Sequence, residues 1–392
     1  MSAAAHQAET VLAKARDLLP AIAEREAATE AARDVPQATI DAIRQAGLHR
    51  LLQPRKFGGM QAPFGLFSQV VETLAEACSA TGWVYAVLGE HQWIIACYPE
   101  QAQIDVWGET PDALASSSLA PRETARRVHG GWVLSGRFPF SSGSSHAQWA
   151  IIGARCEDAA GAAPTRYLLV PMRDIEIVDD WHVLGLRGTG SRTLHLRDVF
   201  VPEHRSVLLR DLLDGTPPGI AEHPDFPLLR APRGALVPFS LPPVVFALGR
   251  RALAVATAAL TGRVSRGVTR TAESELVQVR LAEASAAIET ACLILSVRRD
   301  ESDAALRAGG AISMEQAARN RRDVGFAVRQ IRDAVQDLAE LCGARMVYDS
   351  DRLQPLLRDV LTIATHHVFH PSVTMVPYGR MLLGLPPGAG EA

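Results

Sequence analysis

Over the first hundred positions apolar residues return every three or four places. Val11, Leu12, Ala15, Leu18, Leu19 and Ile22 fall on one stripe, the spacing that keeps side chains on one face of a helix. Pro36 opens a further helix carrying Ile40, Ile43 and Leu48, which weakens at Gly47. Phe67, Val70, Val71 and Leu74 mark a helix over 64–78. An apolar helix over 83–98 holds His91 in its middle, and Pro99-Glu100 starts another that ends near Trp107. Residues 1–112 therefore read as a helical domain.

From 113 the period changes to two. Strands are expected at 132–134, 149–156, 167–172, 175–178 and 193–201, separated by turn residues, so 113–225 reads as a central β domain. The stretch 130–147 stands out within it. Gly130-Gly131 suits a hairpin turn. Trp132, Leu134, Phe138 and Phe140 then alternate, and the side chains shrink to Ser141, Ser142, Gly143, Ser144 and Ser145. A strand that ends in small hydroxyls leaves room for a flat, polar-edged group, although serine-rich surface loops are commoner.

Prolines crowd 206–240, which reads as a long connection. Helical spacing then returns over 226–392: Leu248, Ala252, Val255 and Ala259 in one helix; Leu281, Ile288 and Leu295 in a second. Val324, Val328, Ile331, Val335, Leu338 and Cys342 form a third, stopped by Gly343. A last helix is expected over 353–368, ahead of Pro371. The order is helices, strands, helices: an α+β chain, mostly α.

Composition narrows the class. The 392 residues carry 47% hydrophobic and 21% charged side chains with a net charge of -3. That is an ordinary globular balance with no reason to expect nucleic acid or an anionic membrane as partner. Apolar stretch 244–260 is interrupted by Arg250 and Arg251, so no membrane span is expected. Five scattered cysteines without a CxxC pair, and a start lacking the apolar run of a signal peptide, point to a reducing, cytoplasmic setting.

Three groups could carry chemistry. Gly185-Leu-Arg-Gly-Thr-Gly-Ser191 is rich in glycine but lies between strands, so a dinucleotide or phosphate-loop reading fails on context. His366 and His370 stand four apart, a spacing that suits a metal on a helix face, but no acidic residue lies between them and no metal is expected. His91 in an apolar helix is in isolation a core histidine. No GxSxG elbow is present, which argues against hydrolase chemistry.

Taken in order, these motifs resemble those of the acyl-CoA dehydrogenase superfold. Within it they are more similar to the oxygenase components of two-component flavin-dependent monooxygenases, of the p-hydroxyphenylacetate hydroxylase type. The resemblance spans nearly the whole chain. It rests on Gly82-Trp83-Val84-Tyr85 with His91-Gln92-Trp93, on 116–121 and 131–146, on 185–191 and 198–204, on 358–367, and on Tyr378-Gly-Arg-Met-Leu-Leu-Gly384.

The resemblance implies an N-terminal helical domain, a central β barrel or sandwich, and a C-terminal four-helix bundle through which subunits assemble, usually as a homotetramer. It implies that reduced flavin (FMNH2 or FADH2), supplied by a separate NAD(P)H-dependent reductase, lies against Ser142 and near Ser117, with Phe140, Thr189 and Ser191 around it. Dioxygen then gives a C4a-(hydro)peroxyflavin that hydroxylates a phenolic or similarly electron-rich ring. Ser142 matches the residue that hydrogen-bonds near flavin N5 and slows peroxide loss. His367 matches the general base, a role suited to a histidine at neutral pH, and His91 a second pocket histidine.

The chain also departs from its kin. No Asp or Glu occurs from Val360 to Gly390, where dehydrogenases often place their base, which argues against oxidation of an acyl thioester. Phe138-Pro139 stands where Trp-Ser is more usual, His366 and His370 are additional histidines, and 217–243 reads as a pocket rim. The alternatives are an acyl-CoA dehydrogenase-like FAD enzyme and a non-catalytic flavin-binding protein.

Overall fold

The computed structural model describes residues 3–386 apart from 159, 237–238 and 266–268; part of the expected rim, 237–238, thus lies outside the described residues. Seven helices come first: α1 (Ala3–Asp17), α2 (Leu19–Glu24), α3 (Glu26–Ala32), α4 (Gln37–Gln45), α5 (Phe64–Ala77), α6 (Ser79–Ala96) and α7 (Glu100–Trp107). α6 begins four residues before the expected 83, because Ser79 to Gly82 continue its helical turn beneath α5. Nearly every α6 side chain is buried, so it runs through the centre of the molecule.

Eight strands follow: β1 (Ala115–Ser118), β2 (Thr124–Val128), β3 (Gly131–Ser141), β4 (Trp149–Cys156), β5 (Thr165–Pro171), β6 (Glu176–Val178), β7 (Arg192–Pro202) and β8 (Ser206–Leu208). They form one sheet in the order β6-β7-β3-β2-β4-β5-β8, with β1 parallel to β4. β1 and β2 escape the hydrophobic pattern: Ala-Ser-Ser-Ser and Thr-Ala-Arg-Arg-Val show no apolar alternation, and pairing to β4 and β3 makes them strands. The hairpin turn is His129-Gly130 rather than Gly130-Gly131, since Gly131 is already paired opposite Val128.

β4 is buried on both faces. Ile152, Ala150 and Ala154 join Trp132, Leu134, Phe138, Leu168 and Leu194 in a core inside the sheet. Ile151 and Trp149 point the other way, into the helical core shared by α5, α6 and the C-terminal helices. Period-two alternation delivers successive residues to opposite faces.

The expected connection at 206–240 contains β8, α8 (Leu209–Asp214) and α9 (Arg233–Leu236), with short 3₁₀ turns between. Then α10 (Pro242–Thr261), α11 (Glu275–Arg307), α12 (Met314–Cys342) and α13 (Leu353–Ala364) pack as a four-helix bundle. α10 is long and apolar enough to cross a membrane, but half of its apolar window is buried in this bundle. α12 ends at Gly343, as its pattern requires. α13 ends at Ala364, short of the expected 368. The chain leaves the helix at His366, whose ring Nδ1 accepts the Val368 N–H. A 3₁₀ turn over His367–Phe369 follows, then α14 (Pro371–Thr374) and α15 (Val376–Leu382).

Candidate active site

The hydroxyl-rich end of β3 is a hydrogen-bonded cluster. Ser141 Oγ donates to Ser116 Oγ at 2.9 Å, and Ser118 Oγ donates to the Pro139 carbonyl at 2.8 Å. Ser117 lies between these two on β1, turned by the strand pleat to the other face, and is half-buried. The expected alternation fails at Phe140. A register shift between Phe138 and Ser141 bends the strand, and Phe140 adopts a φ of 65°. Its ring is 64% exposed and meets Trp181 edge-on at 6.1 Å.

Beyond the bend, Gly143 takes a φ of 65° and donates its N–H to the Thr189 carbonyl at 2.9 Å. A Cβ here would stand 2.9 Å from Val84 on α6, so only glycine lets the turn settle on that helix. This contact brings the loop 185–191 alongside Ser142. Ser142 Oγ lies 2.7 Å from Ser191 Oγ, and Ser191 Oγ lies 2.6 Å from Thr189 Oγ1. Thr189 Oγ1 donates to the Leu186 carbonyl at 2.9 Å. At the other end the Trp83 indole N–H donates to Ser142 Oγ at 3.2 Å.

The direction of this chain follows from its ends. An indole N–H only donates and a carbonyl only accepts. Each hydroxyl has one proton, so Ser142 donates to Ser191, Ser191 to Thr189 and Thr189 to Leu186. Ser142 is left with an oxygen lone pair and no proton to spare.

The histidines divide differently from expectation. His91 is buried, and its Nδ1 lies 2.6 Å from the Ala115 carbonyl. A carbonyl can only accept, so Nδ1 carries the proton and Nε2 is the free acceptor. Burial, against the bond to Ala115 and helped by the nearby Arg233 cation, pushes its imidazole down to about 4. His367, expected as the base, is exposed on the 3₁₀ turn. His366 instead meets the Trp83 ring at 5.6 Å, inclined by 67°. The turn that ends α13 four residues early is what turns His366, rather than His367, towards Trp83. His366 is open to water yet stands in crowded surroundings, and it too is pushed down to about 4 by desolvation, His367 and Arg233. Its Nδ1 accepts the Val368 N–H at 3.4 Å, which leaves the proton on Nε2. His370 caps α14 through Ser372.

Ser142, Thr189 and Ser191 are therefore brought together, with Trp83 joining them to His366. Phe140 and His367 stand apart from that cluster. Arg233 was not legible in the sequence. It is buried on α9 in the proline-rich segment, where no periodicity singles it out, and its Nε has no partner among the described residues.

Two family models match the chain: the acyl-CoA dehydrogenase N-terminal domain over residues 6–107 and the C-terminal domain over 243–371. The chain is 37% identical to the oxygenase component of an FADH(2)-dependent resorcinol hydroxylase from a Rhizobium species, over 92% of this chain and 90% of that protein. It is 35% identical to the flavin-dependent monooxygenase oxygenase subunit HsaA of Mycobacterium tuberculosis, over 97% of each. A crystal structure of HsaA superposes with a TM-score of 0.91 at 34% identity, covering 97% of this chain and 99% of that one. XiaF from a Streptomyces species, solved with FADH2 and glycerol, superposes with a TM-score of 0.89 at 30% identity over 98% of each chain. With helices, sheet and bundle in the matching order, the chain belongs to the acyl-CoA dehydrogenase superfold and, within it, to the oxygenase components of two-component flavin-dependent monooxygenases.

Proposed function

We propose that this oxygenase takes reduced flavin, FADH2 as in two of its relatives, and uses it with dioxygen to hydroxylate a phenol or similarly electron-rich ring. The observation that carries this reading is the one-way hydroxyl chain ending in the unprotonated face of Ser142. Dihydroflavin presents an N–H at N5. An acceptor with its own proton committed elsewhere fits that group, whereas a free hydroxyl donor would oppose it. The shrinking of side chains from Ser141 to Ser145 leaves space for a planar ring system. The residues present thus fit reduced flavin.

Bound there with dioxygen, the flavin supplies the electrophilic oxygen. The chain's own residues have three tasks. Ser142 would accept from the N5–H and hold that proton in place, favouring hydroxylation over loss as peroxide. Trp83, Val84 and Leu88 of α6 close over the turn at Gly143 and keep water from it. His91 and His366 handle the phenol. Both are neutral at pH 7. His91 Nε2 can accept the phenolic proton, and His366 Nε2–H can donate to the oxygen as charge builds on it. The base role expected of His367 passes in this reading to His91, with His366 opposite.

An acyl thioester would need a carboxylate base. The acid nearest ahead of the acid-free stretch 360–390 is Asp359, and it is bonded to Ser79 and Leu186. The reduced flavin would come from a separate NAD(P)H-dependent reductase in the cytoplasm. Exposed Leu276, Val279, Leu293, Val297 and Phe326 on α11 and α12 are the surface on which a homotetramer would form. The direct test supplies FADH2, air and a panel of phenols to the purified chain. Mass spectrometry should find a product heavier by one oxygen from dioxygen. If every phenol returns unchanged and flavin reoxidises no differently from free flavin, the reading falls.

A further inference from the structure

The hydroxyl chain keeps its direction only while its carbonyl end stays in place. Leu186 provides that end from an unusual backbone, with a φ of 53°, a region that non-glycine residues rarely occupy. Three donors converge on its carbonyl: the Thr189 hydroxyl at 2.9 Å, the Thr189 N–H at 3.1 Å and the Trp181 indole N–H at 3.1 Å. Its own N–H donates to Asp359 Oδ1 at 2.6 Å. The neighbouring Gly185 is pressed so close to α13 that a Cβ would stand 2.2 Å from the Arg358 carbonyl.

Asp359 Oδ2 accepts from the Ser79 hydroxyl in the first turn of α6. Trp83 lies one turn further along the same helix. A lone carboxylate on the bundle therefore steadies both ends of the chain: the helix that carries its donor and the loop that carries its acceptor. Without Leu186 in register, Thr189 would turn its proton to Ser191, and Ser191 to Ser142. The Ser142 proton would then point into the cleft, against the N5–H.

We propose that Asp359 is a positioning residue for the oxygenase reaction: by holding Leu186 and Ser79 it fixes the hydroxyl chain so that Ser142 faces the flavin as an acceptor. This rests on the role given to Ser142 above.

The test compares Asp359→Ala, Ser142→Ala and the double variant in the full chain supplied with FADH2 and a hydroxylated phenol. One readout is peroxide released per flavin oxidised. The other is the visible absorption band of bound oxidised FAD. Asp359→Ala should raise peroxide release by about threefold to tenfold, the weight of a hydrogen bond or less. In the Ser142→Ala background it should add nothing, and the two single variants should shift the absorption band in the same sense. Asp359→Asn retains an oxygen for the Leu186 N–H and should recover most of the coupling; it also serves if the alanine variant does not fold. Peroxide release that multiplies in the double variant places the action of Asp359 elsewhere and overturns the inference. If Ser142→Ala itself leaks no more than the parent, the reading of Ser142 fails and takes this inference with it.

Discussion

The two sides of the cleft are built on opposite plans. The β3 end and the 185–191 loop form a floor in which every hydroxyl is committed: Ser142, Ser191 and Thr189 are buried and bonded in series. The segment 366–370, the wall, carries three exposed imidazoles on short turns, of which His366 and His370 each use a ring nitrogen to cap the next element. Trp83 touches both, by its indole N–H to Ser142 and by its ring to His366. The floor has one arrangement, which in the proposed function would suit a cofactor of fixed shape. The wall has little to hold it and suits a part that differs with substrate. Loops carried on a rigid scaffold are where such variation collects.

The strongest way to break this contrast is on the wall. His366→Ala should slow hydroxylation by on the order of a hundredfold, the range for a positioned proton-handling group. His367→Ala should change it by less than about threefold, given ordinary surface behaviour. Single-turnover product yields distinguish the two, and the reverse order would return the role to His367. On the floor, Ser142→Ala should raise peroxide release about tenfold while leaving substrate binding intact, a loss of roughly one hydrogen bond.

Acidity offers a finer test. His91 and His366 are pushed down to about 4, so both stay neutral as pH falls from 8 to 5. Proton acceptance is lost only when pH descends through that value. Product yield should therefore be level across this range and fall towards pH 4; a fall centred at the usual histidine value of 6.5 would contradict the cleft environment.

The smallest effect concerns the floor's support. Asp34 Oδ2 accepts from Arg192 at 2.8 Å, beside Gly190 of the loop. Burial alone would raise its pKa, but the facing His146 ring at 3.2 Å and the hydrogen bond from Arg192 outweigh this and hold it at about 2. A lowered folded value adds stability above the unfolded 3.8, lost as pH falls from there through about 2. Asp34→Asn should cost at most about 2 kcal/mol near neutrality and nothing near the acid end. Urea unfolding at both pH values would measure it.

The floor was legible in the sequence and the wall was not, for physical reasons. Ser142 announces itself because a strand pattern runs straight into small hydroxyls, and strand period is a strong signal. Thr189 and Ser191 were expected beside Ser142 only through the family resemblance, since a glycine loop between strands by itself reads as a turn. Even there Phe140 misled, because a bend that turns one residue outward leaves no mark on hydrophobicity. On the wall, three histidines within five positions differ only by where the helix stops. Helix ends are the least determined feature of a sequence, and a shift of a few residues brought His366 rather than His367 against Trp83. Arg233 and Asp359 act through distant chain segments, and their partners emerge only in three dimensions.

β4 gives Ile151 to the helices and Ile152 to the interior of the sheet. A strand with a stake in each cannot be withdrawn from one without stripping the other. The helical shell and the sheet should therefore melt together. A mutation that loosens either would reach the hydroxyl cluster at the end of β3 through the shared strand.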